Sequence, residues 1–568
     1  MEHDESHVPL LPPKESEPNP KLQDTDVDSY GAKAQGFLVG FWPEAKRVLS
    51  LALPISLSEV VSYFAYLITT AQVGYLGALE LSAITLARSV YHITGLSLVV
   101  GMSSGVETFC GQAFGAAHFG VLGLVLQRAA LLCLATCVGP WVLWGRGAEQ
   151  LMRAMGQQPE VVVPAARFLR LLGPSLAAWG LCACIKSYLT SQGVVKPLTV
   201  VAFTYTALTP LVNHLFMFQL RMGMMGAAVA YNVLQVFELL LLVCSMVWLH
   251  VRRQGPGRHT WRGFSTQAFR GWGTYLKVAL PSAAAICFDW WTYEAVILIA
   301  GLLPDAHVQL GAMGLAFNTH GLLFMVVGGF SSAASTRVAN ELGAGRGGAA
   351  RHALCVVLAL GALAPLAASG GLLAAPAAWA RLYTPDTGII RLVCRLMPVL
   401  TLSNVADSVA TVCSGALRGS GRQGLAFATN LVVYWLLGLP CAALLALRYR
   451  MDAMGLWVAM AGAAALQALI LLGCLLRFDW PAETRRALRR VAESEGAAQA
   501  AAAAAAAAGS GATTAVGGAL PATADAAEEP AAEDEEAAMP PPPPPPLHGG
   551  LDSRHGVHEP LLTAEHVM

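Results

Sequence analysis

Runs of about twenty apolar residues, broken by short polar or Gly/Pro segments, recur from Val48 to Phe478. A helix of about 20 residues crosses the roughly 30 Å hydrocarbon core of a bilayer. The runs are continuous rather than alternating, which excludes an outer-membrane barrel. They predict an all-α polytopic membrane protein with about 12 transmembrane helices, beginning near residues 46, 82, 122, 163, 198, 226, 275, 311, 351, 389, 425 and 453. With 55% hydrophobic and 13% charged residues, the 568-residue chain does not have the composition of a soluble globular protein.

The ends differ from the middle. Residues 1–44 and 479–568 are rich in Pro, Ala, Glu and Asp, including the runs Ala501–Ala508, Glu533–Glu536 and Pro540–Pro546. Such segments cannot bury enough apolar surface to offset chain entropy, so both are expected to be disordered. The first apolar run follows about 40 polar residues, so no cleavable signal peptide is expected. The segment His250–Lys277 carries Arg252, Arg253, Arg258, Arg262, Arg270 and Lys277, whereas the loop "PDAHVQ" carries no Lys or Arg. By the positive-inside rule residues 251–274 form a cytoplasmic linker, and counting helices puts both termini in the cytosol. The formal net charge of zero gives no nucleic-acid footprint. The twelve cysteines show no CxxC and no metal spacing, and the chain calls for neither a metal nor a cofactor.

An internal repeat organises the middle. "GMSSGVETFCGQAFGA" (101–116) aligns with "GFSSAASTRVANELGA" (329–344) at an offset of 228, and "ALP" occurs at 52–54 and 279–281. Each half, 45–250 and 275–478, is therefore read as a six-helix bundle. An even number of spans per half makes the copies parallel, an arrangement in which secondary transporters hold substrate between two pseudo-symmetric lobes.

A carboxylate at a helix centre costs about 2.5–3.5 kcal/mol on insertion scales, so it usually faces an interior and has a function. "ICFDWWTYEA" (286–295) holds two, Asp289 and Glu294. Five residues apart, they point about 140° away from each other on an ideal helix. Either the segment is distorted near Pro281, or one acid faces the lobe centre and the other a neighbouring helix. Asp289, with Tyr293 on its face, is the favoured exchanging group. Trp290, Trp291 and Tyr293 offer broad faces that suit an organic cation, or simply pack against helices. Glu59 in "PISLSEVVSYF" is an N-lobe acid that could serve a second ion or substrate. His320 is read as a titrating group or as a hydrogen-bonded interior histidine. Glu107, Arg337 and Glu341 border the repeated motifs, where structural pairing or cytoplasmic gating is expected. No HExxH or GxSxG motif supports an enzyme.

"VETFCGQAFGA", "STRVANELGAG" and "FDWWTYE" together resemble the multidrug and toxin extrusion (MATE) family, especially its plant-type branch, over residues 45–478. The resemblance implies a secondary antiporter that extrudes organic ions or metabolites in exchange for protons, or for sodium in some members. It implies coupling acids at Asp289, where the family usually has Glu, at Glu294, and at Asp407, twelve residues before the "GSG" turn. Some members carry a further Glu in the eighth helix where this chain has Asn318, and no acid precedes "VGYLG" in the first helix, which favours coupling in the C-terminal half. A monomer in the plasma membrane or vacuolar membrane is expected. A flippase for lipid-linked substrates is the nearest rival, and would line its cavity with several Arg or Lys.

Overall fold

The computed structural model describes residues 26–252, 259–384 and 386–493, and these are helical with no strand among them. Eleven single helices and one bent pair are long and apolar enough to cross a membrane. In chain order they are α1 Gly40–Gly74, α2 Leu79–Gly115, α3 Phe119–Ala154, the bent α4 Pro159–Leu171 with Gly173–Ser191, α5 Lys196–Gln219, α6 Gly223–Arg252, α7 Trp272–Ala300, α8 Val308–Gly343, α9 Gly347–Ala374, α10 Thr387–Ser420, α11 Gln423–Arg448 and α12 Asp452–Leu476. Each begins a few residues before the first apolar residue of its run, because the first helical turn is polar or carries Pro, as Pro159 and Pro197 do.

One apolar core joins α2 to α6 with the start of α7. A second joins the end of α7 with α8 and α10 to α12. Between them α1 packs on α8, where Ser56 Oγ donates to the Val326 carbonyl at 2.6 Å. In the related position α7 packs on α2, where the hydroxyls of Ser104 and Ser282 are 2.6 Å apart. The repeat is thus carried into the packing between halves.

The described termini depart from expectation. Helix α1 continues back to Asp26, and Glu44, assigned by composition to a disordered end, is buried. A further helix, α13, runs over 480–493 within the segment expected to be disordered. It is capped by Asp479, whose Oδ1 accepts from Ala482 N at 3.1 Å, and it buries Trp480, Glu483, Thr484, Ala487 and Val491 along one face, at three- and four-residue spacings. The disorder expected for 1–25 and 494–568 lies outside the described residues.

The described part of the linker after residue 258 is held by side chains of the N-terminal half. Tyr188 donates to Thr260 Oγ1 at 2.6 Å, and Gln127 bonds both the Gly263 carbonyl and Ser265 N, at 2.8 and 2.9 Å.

Candidate functional site

Helix α7 runs unbroken through Pro281, so its two acids diverge as ideal geometry dictates. Asp289 faces the C-terminal half, within electrostatic reach of Asp407 on α10. Both carboxylates also act on the hydroxyls of Tyr293 on α7 and Tyr434 on α11. His320 on α8 completes the group: its Nε2 lies 3.0 Å from the Tyr293 hydroxyl and 3.7 Å from Asp407 Oδ2. Asn404, one turn before Asp407, lies beside it. Four-residue spacing of Asp289 and Tyr293, and three-residue spacing of Asn404 and Asp407, put each pair on one helix face. Asp407 and His320 are buried.

Around these acids, Asn404 Nδ2, the Tyr434 hydroxyl and Trp457 Nε1 are buried without a hydrogen-bond partner among the described residues. Each such atom costs about 1–3 kcal/mol. Three of them in one cluster with two acids distinguish it from a settled polar core.

Glu294 turns the other way and bonds Ser89 of α2. Trp291 follows it, donating from Nε1 to the Ile93 carbonyl at 3.1 Å, and the Trp290 ring lies 6.1 Å from that of His92. Both sit against the wide π-helical turn His92–Leu96 in α2. The structure therefore brings Asp289, Tyr293, His320 and Asp407 together and leaves Glu294, Trp290 and Trp291 on the face toward the other half. Asn318, about 200° around α8 from His320, makes no side-chain hydrogen bond among the described residues.

The N-terminal half has its own charged group. Glu59 on α1 lies within electrostatic reach of Lys186 on α4 and Glu238 on α6, whose Nζ and Oε1 are 2.6 Å apart. Sequence reading singled out Glu59 and missed both partners. The signal that finds them is the one used for α7, since Lys186 and Glu238 are each the lone charge in the apolar part of a span.

The remaining motif residues form ion pairs on the face of the linker. Glu107 on α2 meets Arg418 on α10 at 3.3 Å, across the two halves. Arg337 on α8 bonds Glu44 at 2.7 Å and Glu341 at 2.8 Å, and Glu341 also holds Arg346 at 2.7 Å. Beside them Thr108 donates to the Arg418 carbonyl at 2.5 Å and accepts from Gln423 Nε2 at 2.8 Å. The two halves are closed against each other here.

Comparison with known proteins agrees with this architecture. The MatE family model matches residues 54–215 and 281–444, one stretch in each half. Protein DETOXIFICATION 16 of Arabidopsis thaliana is 32% identical, covering 79% of this chain and 92% of that protein. Multidrug and toxin extrusion protein 1 of Homo sapiens is 32% identical, covering 79% and 78%. The crystal structure of the eukaryotic MATE transporter AtDTX14 superimposes with a TM-score of 0.75 at 28% identity, covering 80% of this chain and all of that one. The chain is a multi-pass membrane transporter, not an enzyme, and it belongs to the MATE family of multidrug and toxin extrusion transporters, with plant-type DETOXIFICATION proteins among its relatives.

Proposed function

We propose that this transporter is a proton-coupled antiporter that extrudes an organic ion or metabolite from the cytosol, with Asp289 and Asp407 as the coupling pair. The observation that carries the reading is the chain of contacts inside the C-terminal half, in which His320 lies 3.7 Å from Asp407 and 3.0 Å from Tyr293, on the face of α7 that also bears Asp289. Two carboxylates facing the same membrane interior suit a site where a proton and an organic substrate exclude each other. His320 favours protons over sodium, because an imidazole relays protons whereas sodium takes oxygen ligands. Each pH unit supplies about 1.4 kcal/mol per proton, and net charge movement adds about 2.3 kcal/mol per 100 mV.

In this reading, which rests on the positive-inside rule applied to the basic linker, the ion-paired face and both termini are cytosolic. In the same reading the ion-paired face is the cytosolic closure, and the site exchanges its proton with an acidic exterior or vacuolar lumen. Both lobes belong to one chain, so a monomer suffices. The flippase alternative fits less well, since Lys186 is already neutralised by Glu238.

Proteoliposomes containing the full chain, loaded with acidic buffer, test this with a fluorescent organic cation and a flavonoid as probes. Uptake should follow the pH gradient and should be lost in Asp289→Asn. Uptake driven by a sodium gradient alone, or wild-type pH dependence in Asp289→Asn, would overturn the proposal.

A further inference from the structure

A cavity of about 520 Å³ opens where α6 ends and the linker begins, lined by His250, His259, Trp261, Arg262 and Gly263. None of these residues takes part in the mechanism above. Three of its five lining residues are basic, and none of the three makes a side-chain hydrogen bond or ion pair among the described residues. The imidazoles of His250 and His259 face each other with centroids 4.8 Å apart. From His250 to Lys277 the sequence has six Lys or Arg and no Asp or Glu. One arginine and two histidines, whose buried Nδ1 atoms have no hydrogen-bond partner among the described residues, around a cavity in an acid-free segment suit an anion.

The rim narrows the choice. The Phe264 ring packs edge-on against Trp261 at 5.3 Å, and Phe264 is 93% exposed. On the α6 side Val251 is 62% exposed, and Trp248, 49% exposed, carries the Arg252 guanidinium 4.8 Å over its ring. Large apolar groups beside aromatic and basic ones at the end of a transmembrane helix match the bilayer interface. A free anion would leave this rim bare, whereas a phospholipid covers it with acyl chain while its phosphate enters the cavity.

We propose that this cavity binds the phosphate headgroup of an anionic lipid, fixing the linker between the two halves to the leaflet it faces. The hydrogen bonds that hold residues 260–265 to Tyr188 and Gln127 keep the cavity formed. The site is therefore preorganised rather than induced. If the linker is cytoplasmic, as proposed above, the leaflet is the one rich in anionic lipid.

Native mass spectrometry of the full-length protein, released from nanodiscs of phosphatidylcholine mixed with phosphatidic acid, tests this. One phosphatidic acid should stay bound at energies that strip phosphatidylcholine. Arg262→Gln combined with His259→Gln should lower that occupancy about tenfold, the scale of one lost charge-assisted contact. Millimolar inorganic phosphate should not compete. Equal retention of phosphatidylcholine by the wild type overturns the proposal without any variant. Unchanged retention in the folded double variant also overturns it, and displacement by inorganic phosphate assigns the cavity to a free anion instead. Lipid retention is read without transport, so its failure leaves the coupling proposal standing.

Discussion

Gln112 on α2 donates from Nε2 to the carbonyl of Gly419 on α10 at 2.9 Å, and Asn340 on α8 donates to the carbonyl of Ser191 on α4 at 3.3 Å. Both partners of the second bond are 228 residues beyond or before those of the first, so the repeat closes on itself at the end of the lobes. The closure depends on two glycines with the same offset. A Cβ at Gly115 would overlap the carbonyl of Asn340, and one at Gly343 that of Gln112. Gly115→Ala or Gly343→Ala must push the halves apart here, at about 1–3 kcal/mol, the usual scale of overpacking. Scanning fluorimetry should show a lower melting temperature for each. Wild-type melting would mean that the interface has slack the structure does not show.

Arg337 is the shared partner of Glu44 and Glu341, both buried. Arg337→Met leaves Glu44, among the described residues, with the exposed Arg47 at 3.4 Å, while Glu341 keeps Arg346. Removing one member of a buried pair costs about 3–5 kcal/mol. The variant should be recovered in low yield, and Glu44→Gln added to it should restore part of the loss. A double variant no better than the single would show that Arg337 acts elsewhere.

The helix α13 separates two truncations that composition alone would treat as one. Glu483 binds Arg422 at 2.7 Å, and Arg490 reaches Gln112 Oε1 of one half at 3.1 Å and the Ser420 carbonyl of the other at 2.6 Å. A chain ending at 493 should transport as the full chain does. A chain ending at 478 should lose stability and transport per molecule. Equal activity of the two would make the bridge through Arg490 dispensable.

How much of this was legible follows from how each signal is encoded. Helix count, repeat and the Asp289 face come from hydrophobic periodicity and spacing, which are local in the sequence. The amphipathic pattern of "WPAETRRALRRVAE" is equally local, but it directly precedes low-complexity sequence whose composition hides it. That Asp407 meets His320, and that Lys186 meets Glu238, depends on which helices pack together, and a single sequence does not encode that in any local pattern. The divergence of Asp289 and Glu294 was readable because both sit on one helix, where 3.6 residues per turn fixes the angle.

Lys186 is the centre of the N-terminal charged group, and its removal leaves Glu238 and Glu59 without a cation. Because the Lys186 side chain is 36% exposed, the cost of Lys186→Met should fall near 2 kcal/mol rather than at the roughly 3–5 kcal/mol of a fully buried pair. Lys186→Met with Glu238→Met should recover most of it, measured as a double-mutant cycle on thermal unfolding. A cycle with no coupling would show that the 2.6 Å pair contributes nothing to stability.

The two acids of α7 should separate cleanly in vesicles, because they face different halves. Asp289→Glu keeps a titratable group beside Asp407 and lengthens the side chain by one methylene, so it should retain substantial pH-driven flux. Asp407→Asn removes the second member of the pair and should abolish coupling as Asp289→Asn does. His320→Gln, which keeps a hydrogen-bonding side chain next to Tyr293 but not a titratable ring, should slow exchange while the protein still binds substrate. Glu294→Gln preserves a partner for Ser89 and should leave the pH dependence of flux near wild type. The measurement is initial flux against imposed pH difference with expression matched. Loss of pH dependence in Glu294→Gln but not in Asp407→Asn would move coupling from the C-terminal cluster to the face that α7 shares with α2.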